Sequence, residues 1–447
     1  MTNIFETLES QVRSYCRAFP VVFRKAVGAT LYDESGRRYI DFFAGAGALN
    51  YGHNHPFIKR KILEYLQEDG IIHSLDLYTT AKREFLESFE SIILRPRGLD
   101  YKVQFPGPTG TNAVEAAMKL ARKVTGRQGI VAFTNGYHGM TAGSLAATGN
   151  TYHRRAGGSL LNGISFLPYD GYFGPEVDTF DYLRRLMEDS SSGLDKPAAV
   201  LLETIQGEGG VNVASFQWLK RVETLCREHQ ILLIVDDIQA GCGRTGTFFS
   251  FQPADITPDI VTLSKSIGAY GLPMSIVLLK PELDCWEPGE HNGTFRGNNL
   301  AFVAATEAFR LYWRDHTFRL AIGHKAHLLR RRLTDIGRQW ESFGISVRGR
   351  GLLAGLAFED HPTAARLISQ EAFQHGLILE TCGTKDQVLK FLPPLIIEEN
   401  LLEEGLAIVA QCTRQVLTGG AVGGDAGIAQ EEIPQEHPPF PRRVLPG

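Results

Sequence analysis

The sequence predicts an α/β protein built around a mostly parallel sheet, with a smaller α+β domain beside it. Two observations point to this class. Short apolar runs rich in Val, Ile and Leu recur along the middle of the chain, and amphipathic helical patterns lie between several of them. Alternating buried strands and helices are typical of a parallel sheet whose strands are joined by crossover helices.

Five apolar runs of four or five residues are predicted as buried strands. They are residues 130–133, 199–202, 232–235, 260–263 and 275–279. Residues 112–124 and 216–228 are predicted as helices, because apolar residues recur on one face of each. We therefore expect one large domain over about residues 60–315.

The two ends of the chain are predicted to form the smaller domain together. Residues 1–59 contain a helix-like start and a hairpin across 28–40. Residues 316–417 begin with an Arg- and His-rich helix, continue with a strand–turn–strand pattern near 347–358, and add helices near 363–375 and 398–416. Of the last 30 residues, 11 are Gly or Pro, so 418–447 is predicted to be a flexible tail without a core.

Charge and composition exclude several classes of function. The 447-residue chain carries 46 Lys and Arg against 50 Asp and Glu, so its net charge of −4 gives no basis for binding nucleic acid or an anionic membrane. Residues 1–16 are polar and show no apolar signal-peptide region, and no apolar run approaches a membrane span of ~20 residues. The six scattered cysteines of this long chain indicate a reducing environment, so a cytoplasmic protein is expected. The scattered cysteines, and the pair His53 and His55, do not form a metal-binding pattern.

Polar groups follow two of the predicted strands. Asp236 and Asp237 end the run in ILLIVDD, and Lys265 follows the run in DIVTLSK. Ligands bind at the carboxyl ends of parallel strands, where a carboxylate can pair with a protonated ring nitrogen and a desolvated lysine can form a Schiff base. The alternatives are solvated or helix-capping aspartates and an ordinary surface lysine.

Two glycine-containing segments add further possibilities. Residues 107–115, GPTGTNAVE, suit either a phosphate at a helix start or an ordinary helix cap, and they lack the ending of a P-loop. In NGYHG, residues 135–139, Tyr137 could stack on a flat ring or occupy a simple turn. No segment fits G-x-G-x-x-G, which disfavours a nicotinamide enzyme.

These segments together supply what pyridoxal phosphate requires: a phosphate site, a stacking aromatic residue, a carboxylate and a lysine. The chain resembles the class III (ω-) aminotransferases of PLP fold type I over about residues 15–415. The resemblance is carried, in order along the chain, by GTNAVEAA, FTNGYHG, ETIQGEGG, IVDDIQAGCGRTG, LSKSIG, HNGTFRGNN and RGRGLLAGL. Residues 75–87, 105–117 and 388–397 most resemble the diaminobutyrate–2-oxoglutarate branch, which serves ectoine and siderophore synthesis.

The resemblance implies a role for each matching residue. Lys265 would carry the cofactor and shuttle a proton, Asp236 would hold the pyridine nitrogen, and Gln239 would face the ring hydroxyl. The other implied contacts are phosphate binding by Gly110 and Thr111, ring stacking by Tyr137 beside His138, Thr294 at the neighbouring subunit's phosphate, and Glu203 and Glu208 near the substrate. A homodimer is therefore the expected minimum assembly.

Two departures affect substrate binding. Met140 and Lys390 stand where the ornithine and 4-aminobutyrate branches have arginines, and a lysine cannot form the bidentate fork of an arginine. Lys390 and Arg244 are the candidate cations for substrate carboxylates.

The implied reaction moves the amino group of L-glutamate to L-aspartate 4-semialdehyde, by a reversible ping-pong mechanism. The alternatives are another ω-amine substrate, such as ornithine or 4-aminobutyrate, or a PLP-fold protein that binds without turnover.

Overall fold

The computed structural model describes residues 4–155, 157–158 and 161–419. In this part of the chain the strands are β1 (Phe23–Val27), β2 (Thr30–Asp33), β3 (Arg38–Asp41), β4 (Lys102–Gln104), β5 (Ile130–Phe133), β6 (Ile164–Leu167), β7 (Ala199–Leu202), β8 (Ile205–Gln206), β9 (Asn212–Val213), β10 (Leu232–Asp236), β11 (Ile260–Leu263), β12 (Ile276–Leu279), β13 (Ile345–Arg350), β14 (Leu353–Phe358), β15 (Leu377–Ile378), β16 (Glu380–Cys382) and β17 (Val388–Phe391).

The α-helices are Ile4–Leu8, Tyr15–Ala18, Pro56–Gln67, Thr80–Ser88, Gly110–Thr125, Ala142–Ala147, Thr151–Arg154, Thr179–Glu188, Phe216–Glu228, Asn299–Tyr312, Thr317–Gln339, Pro362–Gln374 and Glu399–Thr418. Residues 44–47 instead form a turn whose backbone φ angles are all positive. Of the predicted tail, the structure describes Thr418, which ends the last helix, and Gly419; residues 420–447 lie outside the described part.

The central sheet has the strand order β4-β12-β11-β10-β7-β5-β6. Strands β11, β10, β7, β5 and β6 run parallel, which confirms the predicted α/β class. The predicted strand 275–279, here β12, is antiparallel to β11. The short link from β11 to β12 holds only a 3₁₀ turn and cannot form a crossover, so the sheet is mostly and not wholly parallel, as predicted.

Helices cover both faces of this sheet. Along β5, Ile130 and Ala132 pack with helix Gly110–Thr125, whereas Val131 and Phe133 pack with helix Phe216–Glu228. Alternate residues of a strand point to opposite faces, so a continuous apolar run is buried on both sides. The two helices contribute Ala117, Leu120, Trp218 and Val222, among other buried side chains.

Two smaller sheets combine distant parts of the chain. β1, β2 and β3 form an antiparallel meander, and β15 joins it parallel to β3, with Leu377 opposite Ile40. The second sheet has the antiparallel order β13-β14-β17-β16. The predicted hairpin and the strand–turn–strand pattern both lie in these sheets, while the division of the chain into domains at 59/60 and 315/316 stays a prediction.

Within the described ranges, no helix combines the length and apolar character needed to cross a membrane.

Candidate active site

Asp236 and Lys265 meet at one edge of the central sheet. Asp236 is the last residue of β10, and Lys265 lies two residues after β11, which runs parallel to β10 with Thr262 opposite Asp236. The carboxyl ends of parallel neighbours share an edge, so the ligand cavity is expected at this edge, beside the two side chains. Lys265 has a positive φ of 50°, and its Nζ donates a hydrogen bond to the carbonyl oxygen of Ala46 at 2.7 Å.

The surroundings of Lys265 disfavour its charged form. Burial lowers the pKa of Lys265, and the positive charge of Lys390 acts in the same direction against the opposing charge of Glu208. A lysine with a lowered pKa has a larger neutral fraction, which is the form that acts as a nucleophile or base. This placement argues against the alternative of an ordinary surface lysine.

Asp236 forms a buried pair with His138. The Nδ1 of His138 lies 2.7 Å from Oδ2 of Asp236, and Thr262 donates a hydrogen bond to Oδ1 at 3.0 Å. Burial disfavours the imidazolium, but the hydrogen bond and charge of Asp236 raise the pKa of His138 above its usual value. Asp236 and Asp237 are both buried, so neither is a solvated carboxylate.

Gln239 lies between the turn at Ala46 and Glu208. Its Nε2 donates to Oε1 of Glu208 at 2.9 Å and to the carbonyl oxygen of Ala46 at 3.2 Å. Its Oε1 is buried and has no hydrogen-bond partner among the described residues. This oxygen is therefore available to a group that enters the cavity.

Lys390 is enclosed by two carboxylates. Its Nζ lies 2.7 Å from Oε1 of Glu208 and 3.0 Å from Oε1 of Glu380, and its side chain is fully buried. Burial opposes the ionisation of Glu208, but the charges of Lys390 and Lys265 outweigh it and lower the pKa of Glu208 to about 2. Burial raises the pKa of Glu380 to about 7.

Gly110 and Thr111 begin the 16-residue helix that packs on the sheet. Thr109 and Asn112 form a reciprocal capping box, which accounts for the helix-cap interpretation of this segment. The Thr111 hydroxyl lies 2.6 Å from that of Thr141 and 2.9 Å from that of Ser144. This cluster of amides and hydroxyls at a helix N-terminus suits an anion.

Tyr137 is tied to Glu203. The backbone N–H of Tyr137 donates to Oε1 of Glu203 at 2.9 Å, and Oε2 accepts from the backbone of Gly207 at 3.3 Å. Burial raises the pKa of Glu203 to about 7. Burial also raises the pKa of the Tyr137 phenol, with Glu208 and Glu203 adding to the shift. The segments that carry Tyr137 and Glu208 are therefore close together.

Thr294 lies apart from this cluster, in an exposed loop. Its carbonyl oxygen accepts a hydrogen bond from Nε2 of His73 at 2.8 Å, and Phe295 beside it is 69% exposed. The structure therefore does not bring Thr294 to the cavity formed by its own chain.

Arg244 is not a substrate-binding cation. Its guanidinium is fully buried and donates to the carbonyl oxygens of Leu352 and Pro393, at 3.1 and 2.5 Å, and to Oδ1 of Asn50 at 2.5 Å. Burial lowers the pKa of Arg244 to about 9. The expectation that Arg244 binds a substrate carboxylate was wrong, because its guanidinium is already hydrogen-bonded to these three oxygens. They come from distant parts of the chain, so Arg244 crosslinks the fold.

Two residues of the site were not found in the sequence. Glu380 lies ten positions before Lys390, and only the strand pairing places them opposite one another. Tyr15 comes from the N-terminal segment, where partial burial and the charges of Glu380 and Glu208 raise the pKa of its phenol. The signal for Glu380 would have been a Glu and a Lys on adjacent antiparallel strands.

The chain matches the family described as Aminotransferase class-III over residues 12–413. The Wolinella succinogenes protein "Diaminobutyrate--2-oxoglutarate transaminase" is 58% identical over 417 residues, which cover 93% of this chain and 96% of that protein. A Bordetella parapertussis protein of the same name is 55% identical over 93% of this chain and 96% of its own length.

Among solved structures, the ornithine aminotransferase from Toxoplasma gondii superimposes with a TM-score of 0.80 at 27% sequence identity. The match covers 92% of this chain and 94% of that chain. A second structure of that enzyme is described with partial occupancy of PLP at its active site. It matches with a TM-score of 0.79 at 27% identity, over 92% of this chain and 93% of the other.

Proposed function

The chain belongs to the class-III aminotransferase family, and from that membership we propose that it moves the amino group of L-glutamate to L-aspartate 4-semialdehyde. The products are L-2,4-diaminobutyrate and 2-oxoglutarate, and the reaction is reversible. The observation that carries the choice of substrate is the 55–58% identity to proteins named diaminobutyrate–2-oxoglutarate transaminase, over more than nine-tenths of the chain.

Pyridoxal phosphate is the cofactor of this family, and the residues of the cavity fit it. A hydroxyl cluster lies at the start of helix Gly110–Thr125, where a Cβ on Gly139 would come within 2.6 Å of the Thr111 hydroxyl. Gln239 Oε1 is buried and finds no partner in the described part of the chain. When bound, pyridoxal phosphate supplies an aldehyde that reacts with amines and a ring that withdraws electrons from the substrate carbon.

Each part of the cofactor has a residue suited to hold it. The amides of Gly110 and Thr111 would bind the phosphate, Asp236 the ring nitrogen, and Gln239 Oε1 the ring hydroxyl. Tyr137 would cover one face of the ring. His138 holds the Asp236 carboxylate in place through their 2.7 Å contact.

Lys265 would bind the cofactor and then move protons in both halves of the reaction. Burial lowers the pKa of Lys265, so a larger fraction of its amine is neutral and able to accept a proton from a substrate carbon. The hydrogen bond to Ala46 orients Nζ without adding a charge to it.

Substrate carboxylates would be bound by Lys390. In the resting site Lys390 is paired with Glu208, which also accepts a hydrogen bond from Gln239. Glutamate carries a carboxylate on its reacting carbon, whereas the reacting terminal carbon of diaminobutyrate carries none. Glu208 would therefore release Lys390 for the first substrate and keep it for the second. Glu203 would line the same side of the cavity.

A second copy of the chain would complete the site. The exposed side chains of Ile71, Ile72, Leu75, Leu77, Tyr78 and Phe295 form an apolar surface, here called the Tyr78 surface, and Thr294 lies beside it. Apolar patches of this kind mark protein interfaces. We therefore place Thr294 at the phosphate site of a partner in a cytoplasmic homodimer.

The test is the visible absorbance of the purified holoenzyme during each half-reaction. We expect the absorbance of the lysine-bound cofactor to be lost fastest with L-2,4-diaminobutyrate or L-glutamate, and more slowly with ornithine or 4-aminobutyrate. The Lys265→Ala protein should bind the cofactor and convert it ~10²–10⁴-fold more slowly than the wild type.

Three outcomes would contradict parts of this proposal. Faster conversion by ornithine or 4-aminobutyrate would change the substrate and leave the mechanism. A cofactor that binds but is never converted would indicate a binding protein. Normal turnover by Lys265→Ala would remove Lys265 from the mechanism.

A further inference from the structure

Two carboxylates compete for the single ammonium group of Lys390. Glu208 and Glu380 lie 2.7 and 3.0 Å from its Nζ, and the lysine side chain has no exposure to solvent. One cation compensates one buried anion, so the trio carries an excess negative charge whenever both carboxylates are ionised. A buried charge without compensation is costly and favours uptake of a proton.

The two carboxylates are held in different ways. Glu380 is opposite Lys390 in the antiparallel pair β16–β17, so its position is fixed by the sheet. Glu208 lies in the turn after β8, and its side chain is 29% exposed compared with 7% for Glu380. A substrate carboxylate can therefore displace Glu208 from Lys390, whereas Glu380 remains in contact with the lysine.

We propose that Glu380 is a specificity-determining residue, which opposes the binding of a substrate carboxylate next to the reacting carbon by acting as the second counter-ion of Lys390. This inference rests on the proposed function. Glutamate and 2-oxoglutarate bring such a carboxylate into the site, so the ionised Glu380 weakens their binding. Diaminobutyrate reacts at its terminal carbon and brings none there, so Glu380 affects it less.

The charged and titratable groups around Glu380 set the pH at which it acts. They are Lys390 on the opposing strand, Glu208 in the turn, Lys265 across the cavity, Tyr15 from the N-terminal segment and Cys382 on the same strand. Burial raises the pKa of Glu380 to about 7, while Glu208, with a pKa of about 2, stays ionised. Glu380 should therefore weaken the binding of a substrate carboxylate only slightly at pH 6, where it is mostly protonated, and fully at pH 8.5, where it is ionised.

The test compares Glu380→Gln with the wild-type holoenzyme in the two half-reactions. The amide keeps the shape of the side chain next to Lys390 and removes its charge. At pH 8.5 we expect the ratio of the glutamate rate constant to the diaminobutyrate rate constant to be about 10-fold higher in Glu380→Gln than in the wild type. A change of this size is expected because the substitution removes a charge a few ångströms from Lys390. At pH 6 the two proteins should agree within about twofold.

Glu359→Gln is the matched control. Glu359 is paired with Arg348 at the end of the adjoining strand β14, so the substitution removes the same charge from the same sheet at a site away from Lys390. Its substrate ratio should equal that of the wild type at both pH values.

A structural role for Glu380 would lower both half-reactions together, and that result, or an unchanged ratio, would overturn the inference. If Glu380→Gln does not fold, Glu380→Asp, which keeps the charge, should retain the wild-type fall of the ratio between pH 6 and 8.5; its loss would also overturn the inference. A wild-type protein that converts neither substrate would contradict the proposed function instead, before any variant is compared.

Discussion

Asp236 and Asp237 are consecutive in the chain, yet their carboxylates bond to different parts of the molecule. Oδ2 of Asp236 contacts His138 at 2.7 Å, whereas Oδ2 of Asp237 accepts the backbone N–H of Ser250 at 3.0 Å. Asp236 ends β10 and Asp237 follows it, so the change of direction continues the alternation of side chains along the strand. Asp236 therefore lies in the candidate active site with His138, whereas Asp237 is hydrogen-bonded to Ser250 in the protein interior.

The Asp236→Asn substitution should weaken binding of the cofactor. It removes the charge that stabilises both the His138 imidazolium and a protonated ring nitrogen, so the pKa of His138 should fall. Loss of a charge-assisted hydrogen bond costs ~1.5–3 kcal/mol, which predicts a dissociation constant for pyridoxal phosphate about 10–100-fold higher. Equilibrium dialysis followed by absorbance measures it.

Thr262→Val is the control for this variant, because it removes the hydrogen bond to Asp236 Oδ1 and keeps the charge. In this variant the dissociation constant for pyridoxal phosphate should change by no more than a few-fold. Equal losses in the two variants would mean that the charge of Asp236 is unimportant.

The Asp237→Asn substitution should stabilise the protein more as the pH rises. Burial raises the pKa of Asp237 to about 7, and its Oδ1 lacks a hydrogen-bond partner within the described ranges. A carboxyl with a raised pKa contributes stability that is fully present below its unfolded value near 4 and is lost as pH rises through about 7. Asparagine does not titrate, so the melting temperature of the variant relative to wild type should rise between pH 4 and 7 and then level off.

Differential scanning calorimetry at a series of pH values checks this. Asp255→Asn is the control, since that side chain is fully exposed and the substitution changes the same charge. A difference between Asp237→Asn and wild type that does not vary with pH would contradict a neutral Asp237.

Arg244→Lys should destabilise the fold and leave substrate binding unchanged. The guanidinium joins Asn50, Leu352 and Pro393, and one ammonium group cannot reach all three oxygens with the same geometry. A loss of roughly 2–5 kcal/mol is expected for a buried charge network, seen as a lower melting temperature.

The KM for glutamate should stay within about twofold in this variant. Arg348→Lys, at a partly exposed ion pair, should cost at most ~1 kcal/mol. Unchanged stability with a tenfold higher KM would instead make Arg244 a carboxylate-binding residue.

The double substitution Tyr78→Asp and Phe295→Asp should separate the proposed dimer. Both side chains are exposed, by 100% and 69%, and two new charges on the Tyr78 surface would have to be desolvated on association. Analytical ultracentrifugation should show the mass of one chain, with activity lost together with the contribution of Thr294. The pair Tyr172→Asp and Phe173→Asp, at another exposed apolar site, should sediment as wild type. A wild-type protein that is monomeric and active would exclude the shared site.

The sequence was sufficient wherever the signal is local. The runs 130–133, 199–202 and 260–263 have the bounds of β5, β7 and β11, because a strand buried on both faces requires an unbroken apolar segment. The placement of Asp236 near Lys265 followed from the ends of two parallel strands.

The rest depends on contacts between distant segments. The pairing of Glu380 with Lys390 is set by strand register, and the three oxygens around Arg244 come from residues 50, 352 and 393. No property of the residues around Arg244 in the chain distinguishes a structural guanidinium from a substrate-binding one. Only the fold determines which of the two it is.

The pairing of β3 with β15 has a consequence for synthesis on the ribosome. Ile40 is opposite Leu377, and Gln104 of β4 is opposite Val277 of β12. The strands near the N-terminus are therefore synthesised long before the strands with which they pair. Such non-local pairing slows folding and leaves strand edges exposed in the nascent chain. The edge of β3 therefore has no native partner until most of the polypeptide has been translated, and we expect the growing chain to depend on chaperones during that interval.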